Sequence, residues 1–348
     1  MENKSKYWSE ENIKYLNENY GKEIAVDIAK RIGKTPSAVR SRAVRQGLKS
    51  NLTVTSRKAT VQFVDRKQFP TDQDIEDLWK KKEELQETKK RTYTSQTEAL
   101  IKIDTDKPIM FVSLADLHVG AETCRYKVLR ETVEYLATLN NVFIGSIGDT
   151  VDNYLPVWHP EGMFSNDSSP AEQKDLVEYL YNKLKGKLLF LVQGCHDESS
   201  HMTDDFDWSK YLQSKYDCVY LGFGGFVNLV VGSQTYRICA RHKYRYNSSL
   251  NLTHPVKRMR EQFGDFDIGI LAHNHQAVIE QLTHADKDRI YIRPGSFKGV
   301  DRYAQQLGFQ DTGAQMPSVI LYPDRRMMLP FLNLSDGLEI LNKLLEEK

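Results

Sequence analysis

Five apolar runs between residues 109 and 275 each stop abruptly at aspartate or histidine. They read "IMFVSLADLH", "NVFIGSIGDTVDN", "KLLFLVQGCHD", "TYRICARHKY" and "FDIGILAHNH". Each has the length and continuous apolar character of a buried strand. Between the first two, "YKVLRETVEYLATL" carries helical spacing. Before the third comes "AEQKDLVEYLYNKLKG", a helix that Pro170 would open. Strands alternating with helices from Pro108 onward predict an α/β domain. In such sheets ligands bind beyond the carboxyl ends of the strands, where these aspartates and histidines fall. Asp116 and His118 are two apart, as are His273 and His275. Positions i and i+2 of an extended segment point the same way, so each pair is expected to aim two side chains at one region.

The side-chain types set the expected chemistry. Carboxylate oxygen and neutral imidazole together suit Mn, Fe or Zn better than Mg. Two divalent ions about 3.5–4 Å apart form a clamp for phosphoryl chemistry. A carboxylate shared between them offsets their repulsion. Asp149 is the candidate, because Gly148 before it permits a tight turn and close approach.

In order from Asp116 to His275 stand "DLH", "GDTVDN", "GCHD", "RHK" and "AHNH". This series resembles the ordered motifs of the calcineurin-like metallophosphoesterase superfamily: D-x-H, G-D, G-N-H-D/E, a lone His, and G-H-x-H. The resemblance implies a four-layer αββα sandwich and a dinuclear metal site. It implies that Asp116, His118 and His275 bind one metal, that Asp149 bridges, and that His242 and His273 bind the second with the position of Cys195. It further implies that His196 stands beside the scissile phosphate as hydrogen-bond donor or general acid, oriented by Asp197, while a metal-activated water attacks phosphorus. Two residues depart from the motifs. Ala272 replaces a glycine, adding one methyl. Cys195 replaces an asparagine, exchanging a hard amide oxygen for a soft thiol that ligates only when deprotonated. Either a thiolate ligates and shifts the second site toward Zn or Fe, or Cys195 stays uncoordinated and the second metal binds weakly. Asp152 and Asn153, just after the bridging position, are read as structural residues capping the loop rather than as substrate contacts.

The first fifty residues show a different periodicity. Ile13, Leu16 and Tyr20 share one helical face, and Ala25, Ile28, Ala29 and Ile32 share another. A third helix has Thr35 as N-cap, Pro36 at its first position and Gly47 past its end. Val39 and Ala43 suit its buried side, and Val44 falls off that stripe. Its polar positions are Ser37, Arg40, Ser41 and Arg45, with Arg42 and Lys49 flanking. Arginine reads guanine edges and phosphates, and serine bonds either, so the helix suits a DNA major groove. The "WSEENIKYL" opening and "TPSAVRSRA" resemble helix-turn-helix or Myb-like modules of phage and bacterial proteins over Tyr7 to Lys49. The resemblance implies DNA contacts by Ser37, Arg40, Ser41, Arg42 and Arg45. A helical interaction domain with a solvated basic face is the other reading.

The expected organisation is a helix-turn-helix module at 1–50 and a charged linker with one helix at 51–107. A metallophosphoesterase domain follows at 108–333, then an amphipathic helix at 334–348. The linker helix would place Ile75, Leu78, Trp79 and Leu85 on one side. The final helix aligns Leu338, Leu341 and Leu345 and is expected to dock on its own domain, although it is also compatible with a homo-oligomer. The 348 residues carry 40% hydrophobic and 27% charged side chains with net charge +1. Nucleic-acid attraction must therefore come from a local patch. The apolar runs are too short to span a membrane. The polar start and four scattered cysteines point to a reducing cytoplasm, of a bacterial or infected host cell.

Basic residues crowd the later motifs. Lys243, Arg245, Arg293 and Lys298 are the candidate phosphate contacts, and Tyr244, Tyr246 and Phe297 are candidates to stack on bases. "HKYR" and "RPGSFKG" resemble stretches of phage-encoded members of the superfamily. The expected function is a dinuclear-metal-dependent nuclease or nucleic-acid phosphoesterase recruited to DNA by the first module. The alternatives are a phosphatase or phosphodiesterase of a nucleotide or phosphoprotein with a regulatory first module, and a DNA-binding scaffold whose site has degenerated at Cys195.

Overall fold

The computed structural model describes residues 7–50, 71–92, 98–153, 165–246, 248, 250–284 and 287–346. The chain divides into two compact units, Met1–Glu83 and Glu84–Lys348. The first begins with α1 (Glu10–Asn19), α2 (Ala25–Arg31) and α3 (Pro36–Arg45). Leu16, Ile28, Ala29 and Val39 are buried together, and Trp8, Tyr15, Tyr20, Ile32 and Leu48 pack around them. The signals at α3 act as expected. Thr35 Oγ1 accepts from the Ala38 amide at 3.2 Å, Pro36 opens the helix, and Gly47 takes a φ of +67° just beyond it. A long helix, α4 (Asp72–Thr92), follows, with Ile75, Leu78, Trp79 and Leu85 all exposed.

The larger unit runs β1 (Glu98–Ile103), β2 (Ile109–Leu114), α5 (Tyr126–Thr138), β3 (Val142–Ser146), α6 (Pro170–Lys183), β4 (Leu188–Leu191), α7 (Cys195–Asp204), α8 (Trp208–Tyr216), β5 (Val219–Tyr220), β6 (Gly224–Val231), β7 (Gln234–Arg241), α9 (His254–Phe263), β8 (Ile268–Leu271), β9 (Val278–His284), β10 (Lys287–Arg293), α10 (Arg302–Gln306), β11 (Ser318–Leu321), β12 (Met328–Phe331) and α11 (Leu334–Glu346). One six-stranded sheet has the order β12-β11-β2-β3-β4-β5, and the other β1-β6-β7-β8-β10-β9. β2 to β5 are mutually parallel, while β11 and β12 are antiparallel additions. β1 pairs in parallel with all but the first two residues of β6. It lies inside 51–107, the stretch read as linker from its charge, so that reading is corrected: an exposed edge strand alternates its burial and looks polar in sequence.

Three apolar layers separate four structural ones. Between the sheets, Phe111, Phe190 and Val319 meet Val227, Ile238, Ile270 and Ile292. Outside the first sheet, Val112, Leu114 and Ile144 pack with residues of α5, α6, α8 and α11, including Leu129, Val177, Leu212 and Leu338. Outside the second, Cys239, Leu271 and Tyr291 pack on Val256 and Met259 of α9. This is the αββα sandwich that the motif order implies. It follows from strands that are apolar on both faces, which must be covered on both sides. The final helix docks on its own sheet through Leu338 and Leu341, as its periodicity predicts. Among the described residues, no helix is long and apolar enough to cross a membrane.

Phe111 and Phe190 stack at 5.9 Å in the middle of the inter-sheet layer, and a side chain at Gly145 would strike both rings. Phe190→Ala is expected to lower stability by about 3–5 kcal/mol. Urea unfolding followed by tryptophan fluorescence measures it, and an unchanged midpoint would refute this packing account.

Candidate metal centre

The five run ends converge at one edge of the sandwich. Asp116 and His118 follow β2, Asp149 follows β3, Cys195 and His196 open α7 after β4, His242 follows β7, and His273 and His275 follow β8. Eight non-glycine residues among those described have positive φ. Six of them are Asp116, His118, Asp149, Asn153, His273 and His275, with φ between 40° and 76°. The other two, Asp205 and Asp217, end α7 and α8. Left-handed backbone costs an ordinary residue on the order of 1–3 kcal/mol, and it gathers where structure is held for function. It also corrects the reason given for the paired spacing. Asp116–His118 and His273–His275 are not extended. Both members of each pair sit in left-handed turns, and these bring their side chains together.

Backbone hydrogen bonds zip the turns to one another. The Asp116 amide donates to the Gly148 carbonyl at 3.0 Å and the His118 amide to the Asp149 carbonyl at 3.0 Å. Gly148, at φ +83°, packs so that a Cβ would lie 2.6 Å from the Gly194 Cα. A Cβ on Gly194 would lie 2.0 Å from the Asp149 amide nitrogen. Both glycines are therefore required by close backbone approach. The same approach lets the His196 amide donate to Asp149 Oδ1 at 2.8 Å, leaving Oδ2 turned to the centre.

Two donor sets share this space. In one, the ligand atoms of Asp116, His118 and His275 lie within 4.8 Å of one another; in the other, those of Asp149, Cys195, His242 and His273 do; His118, Asp149 and His196 meet the same distance across the two. Asp149 Oδ2 lies 3.0 Å from His242 Nε2, 3.3 Å from Cys195 Sγ and 3.8 Å from His118 Nε2, so it faces both sets. Two tautomers are fixed from behind. His118 Nδ1 donates to Asp152 Oδ1 at 2.8 Å, and His242 Nδ1 donates to the Ile147 carbonyl at 2.8 Å. Each leaves Nε2 aimed inward, the arrangement that supports metal-bound imidazoles.

Electrostatics point the same way. Burial pushes His118 down to about 4, despite its bond to Asp152. Burial and the charge of His242 push His273 down to about 4. Burial also opposes the charge on His242, but the adjacent Asp149 carboxylate holds its pKa well above the usual value. Burial opposes the Asp149 charge, while His242 and His196 hold that carboxylate well below its ordinary range. Burial, then Asp149, raises the Cys195 thiol to about 11. Asp116 Oδ1 is buried with no well-formed hydrogen bond among the described residues, His275 Nε2 lying 3.4 Å away, and His118 Nε2 and His275 Nε2 face each other at 3.0 Å. Imidazoles held neutral at His118 and His273, an ionised buried carboxylate at Asp149 and an under-satisfied oxygen at Asp116 form a donor set that fits metal ions.

Several expected roles are relocated. Asp197 does not orient His196. Its oxygens accept from the Thr150 amide at 3.0 Å, the Thr150 hydroxyl at 2.7 Å and the Gly194 amide at 3.1 Å, which fastens the bridging turn to the start of α7. The His196 ring is instead held by the Asp152 carbonyl, which accepts from Nδ1. Asp152, read as a structural cap, is a buried hub that joins His118, Asn166, Lys298 and the His196 ring. Its place three residues after Asp149 was the available signal. Asn153 is structural, bonding Ser200 at 2.8 Å.

Lys298 is 7% exposed and bridges Asp152 and Asp301, so it is not a phosphate contact. Arg293 is buried and donates to the Ala272 carbonyl at 2.9 Å, supporting the His273 turn from behind. Phe297 is also buried, and its amide donates to the Asp116 carbonyl at 3.0 Å. The "RPGSFKG" stretch thus backs the centre and does not face substrate. Lys243 and Arg245 remain exposed. In the smaller unit, Ser37, Arg40, Ser41 and Arg45 are exposed, whereas Arg42 is half-buried with its guanidinium over Trp8 at 5.7 Å and leaves that face.

No family model matches the chain, and no curated protein does. Among solved structures, the chain is similar to the NAD nucleotidase NadN of Haemophilus influenzae, at 8% identity and TM-score 0.35. That match covers 65% of this chain and 50% of the nucleotidase, so the chain spans half the length of that protein. It is similar to TT1561 of Thermus thermophilus, at 9% identity and TM-score 0.37, over 66% and 99% of the two chains. It is also similar to nuclease MPE of Pseudomonas putida, at 12% identity and TM-score 0.29, over 64% and 87%. At such scores the likeness says nothing of chemistry, which rests on the side chains themselves.

Gly194→Ala is expected to separate Asp149 from the start of α7. Metal titration of the purified variant should find affinity reduced about tenfold or more, the size of loss typical when the groups that support metal ligands are disturbed, with the fold retained by circular dichroism. Unchanged affinity would contradict the close-approach account.

Proposed function

We propose that the chain is a dinuclear-metal-dependent phosphoesterase that cleaves phosphodiester bonds of nucleic acid, recruited to DNA by its N-terminal three-helix unit. The observation that carries this reading is the single oxygen, Asp149 Oδ2, facing two separate donor sets. Asp116, His118 and His275 would hold one divalent ion, His242, His273 and Cys195 the other, and Asp149 both. Bound there, such ions supply Lewis-acid stabilisation of charge developing on phosphoryl oxygens.

The protein's own groups supply the rest. His196 is the proton donor to the leaving oxygen. Its ring meets His118 edge-on at 4.6 Å between centroids, and its Nδ1 is anchored on the Asp152 carbonyl. With that bond kept, an imidazolium at this position has its second N–H, on Nε2, to give to the leaving oxygen, and the neutral ring then keeps Nδ1–H on the carbonyl. Asp152 orients His196 and His118 together; Lys298 bonds the same oxygen, Oδ1, at 3.2 Å, and Asn166 holds the other, Oδ2, at 3.0 Å. Burial opposes ionisation of Asp152, but His118 and Lys298 hold its pKa below the usual carboxylate range, so it stays an acceptor at neutral pH. Cys195 supplies a soft donor where its thiol already lies 3.4 Å from His273 Nδ1 and 3.6 Å from His242 Nε2, which favours Zn or Fe over Mg at that position.

DNA recruitment is supported by the outward face of α3. Ser37, Arg40, Ser41 and Arg45 stand at helical spacing on the side opposite buried Val39 and Ala43. Arginine and serine at those positions suit phosphates and base edges of a major groove.

Asp149→Asn should lower hydrolysis of bis(p-nitrophenyl) phosphate and of labelled DNA by at least about a thousandfold with the fold intact. Retained DNA cleavage would overturn the assignment, and hydrolysis of a phosphomonoester alone would redirect it to a phosphatase. Cys195→Asn should move metal preference away from Zn toward Mn or Mg in competition binding. An unmoved preference would show Cys195 to be no ligand.

A further inference from the structure

Next to the metal centre, the rim formed by the ends of β6 and β7 carries aromatic rings that the proposed chemistry does not use. Phe223 is 58% exposed and sits in the turn between β5 and β6. The Gly222 carbonyl in that turn accepts from the Gln193 amide at 2.8 Å, two residues before Cys195. On its other side, Gly224 pairs with Arg241, one residue before His242. Phe223 thus stands between the strand ends that deliver Cys195 and His242.

The row continues from there. Arg241 packs against Gly224, where a Cβ would lie 2.5 Å from its Cγ. Its guanidinium lies over Phe263 at 4.8 Å. Phe263, 36% exposed, meets Tyr244 at 5.5 Å, and Tyr244 meets Tyr246 at 5.4 Å. Tyr246 is four residues from His242, within about 14 Å along an extended chain. The charge beside these rings is unbalanced. Lys257, Arg258 and Arg260 of α9 pair with Glu280, Glu261 and Asp265. Exposed Lys243 and Arg245, between and beside the tyrosines, have no carboxylate partner among the described residues.

We propose that this rim is a stacking track for unpaired nucleobases, so that the nucleic acid presented to the metal centre is single-stranded there. Rings exposed at Phe223 and Phe263 and half-buried at Tyr244 and Tyr246, with the Arg245 and Arg258 guanidiniums over Tyr246 at 4.9 and 5.1 Å, match a strand whose bases offer open π faces and whose phosphates alternate with them. A duplex buries those faces in its own stack and would leave Phe223 against phosphate. The two cations without carboxylate partners favour an anionic strand over an apolar protein partner. This inference rests on the phosphoesterase reading for the fate of the strand, but its binding test stands apart from that reading.

The test uses the full chain and the variants Phe223→Ala, Tyr246→Ala and Phe223→Trp. Binding of fluorescein-labelled oligothymidylate and of a hairpin duplex is measured by anisotropy in chelator, and turnover of bis(p-nitrophenyl) phosphate is measured with Mn. Each alanine variant should raise the oligothymidylate Kd about tenfold, leaving duplex binding and small-diester turnover unmoved. Phe223→Trp, which keeps a ring, should bind as the parent does. Unchanged oligothymidylate binding, or equal losses for duplex, overturns the track even if the parent hydrolyses the diester. A parent that hydrolyses no diester sinks the phosphoesterase reading, while the oligothymidylate result still decides the track.

Discussion

The turn at Gly148 and Asp149 is pressed against Gly194 so closely that neither glycine has room for a Cβ. Everything at the centre depends on that contact. It places Asp149 between two strand ends, turns one carboxylate oxygen to the His196 amide and leaves the other facing both donor sets. Asp197 then locks the arrangement by bonding Thr150 on one side and Gly194 on the other. Trp208 reinforces it, donating from Nε1 to the Thr150 hydroxyl at 2.9 Å. The strained backbone of Asp116, His118, Asp149 and His273 is tolerable because the turns hold each other through main-chain bonds and rest on strands packed on both faces.

The donor sets follow from the order of the strands. β2, β3 and β4 are neighbours in one sheet, and β7 and β8 are neighbours in the other. The sheets pack face to face, so their carboxyl ends open on one edge. Each set draws ligands from both sheets: Asp116 and His118 with His275, and Asp149 and Cys195 with His242 and His273. Sandwich packing and site assembly are thus one requirement, and a shift of one sheet against the other would take both sets apart.

Much of this was legible in sequence because ligand-bearing turns follow continuous apolar runs, a pattern that survives without knowledge of the fold. The α/β class, the helices before β3 and β4 and the convergence of the ligand-type side chains followed from it, while the αββα layering followed from the resemblance of the ordered motifs. What could not be read were directions. Asp197 adjoins His196 in sequence, but the first turn of α7 sends the two side chains to different neighbours, and Asp152 meets the imidazole instead. Lys298, Arg293 and Phe297 look like substrate contacts by composition, yet tertiary packing encloses all three behind Asp116 and Ala272. Edge strand β1 was hidden because an exposed edge alternates polar with apolar and resembles a charged linker. Phe223 gave no periodic signal, and its position emerges only from the pairing of Gly224 with Arg241.

The central claim is that the chain binds two ions through one shared carboxylate. Metal content per chain, measured by mass spectrometry after stripping and reconstitution with excess Mn or Zn, tests it most directly. Two ions per chain are predicted, with both affinities weakened when Asp149 is replaced by alanine. One ion or none at saturation, or loss of a single ion in the alanine variant with the other unaffected, would contradict it.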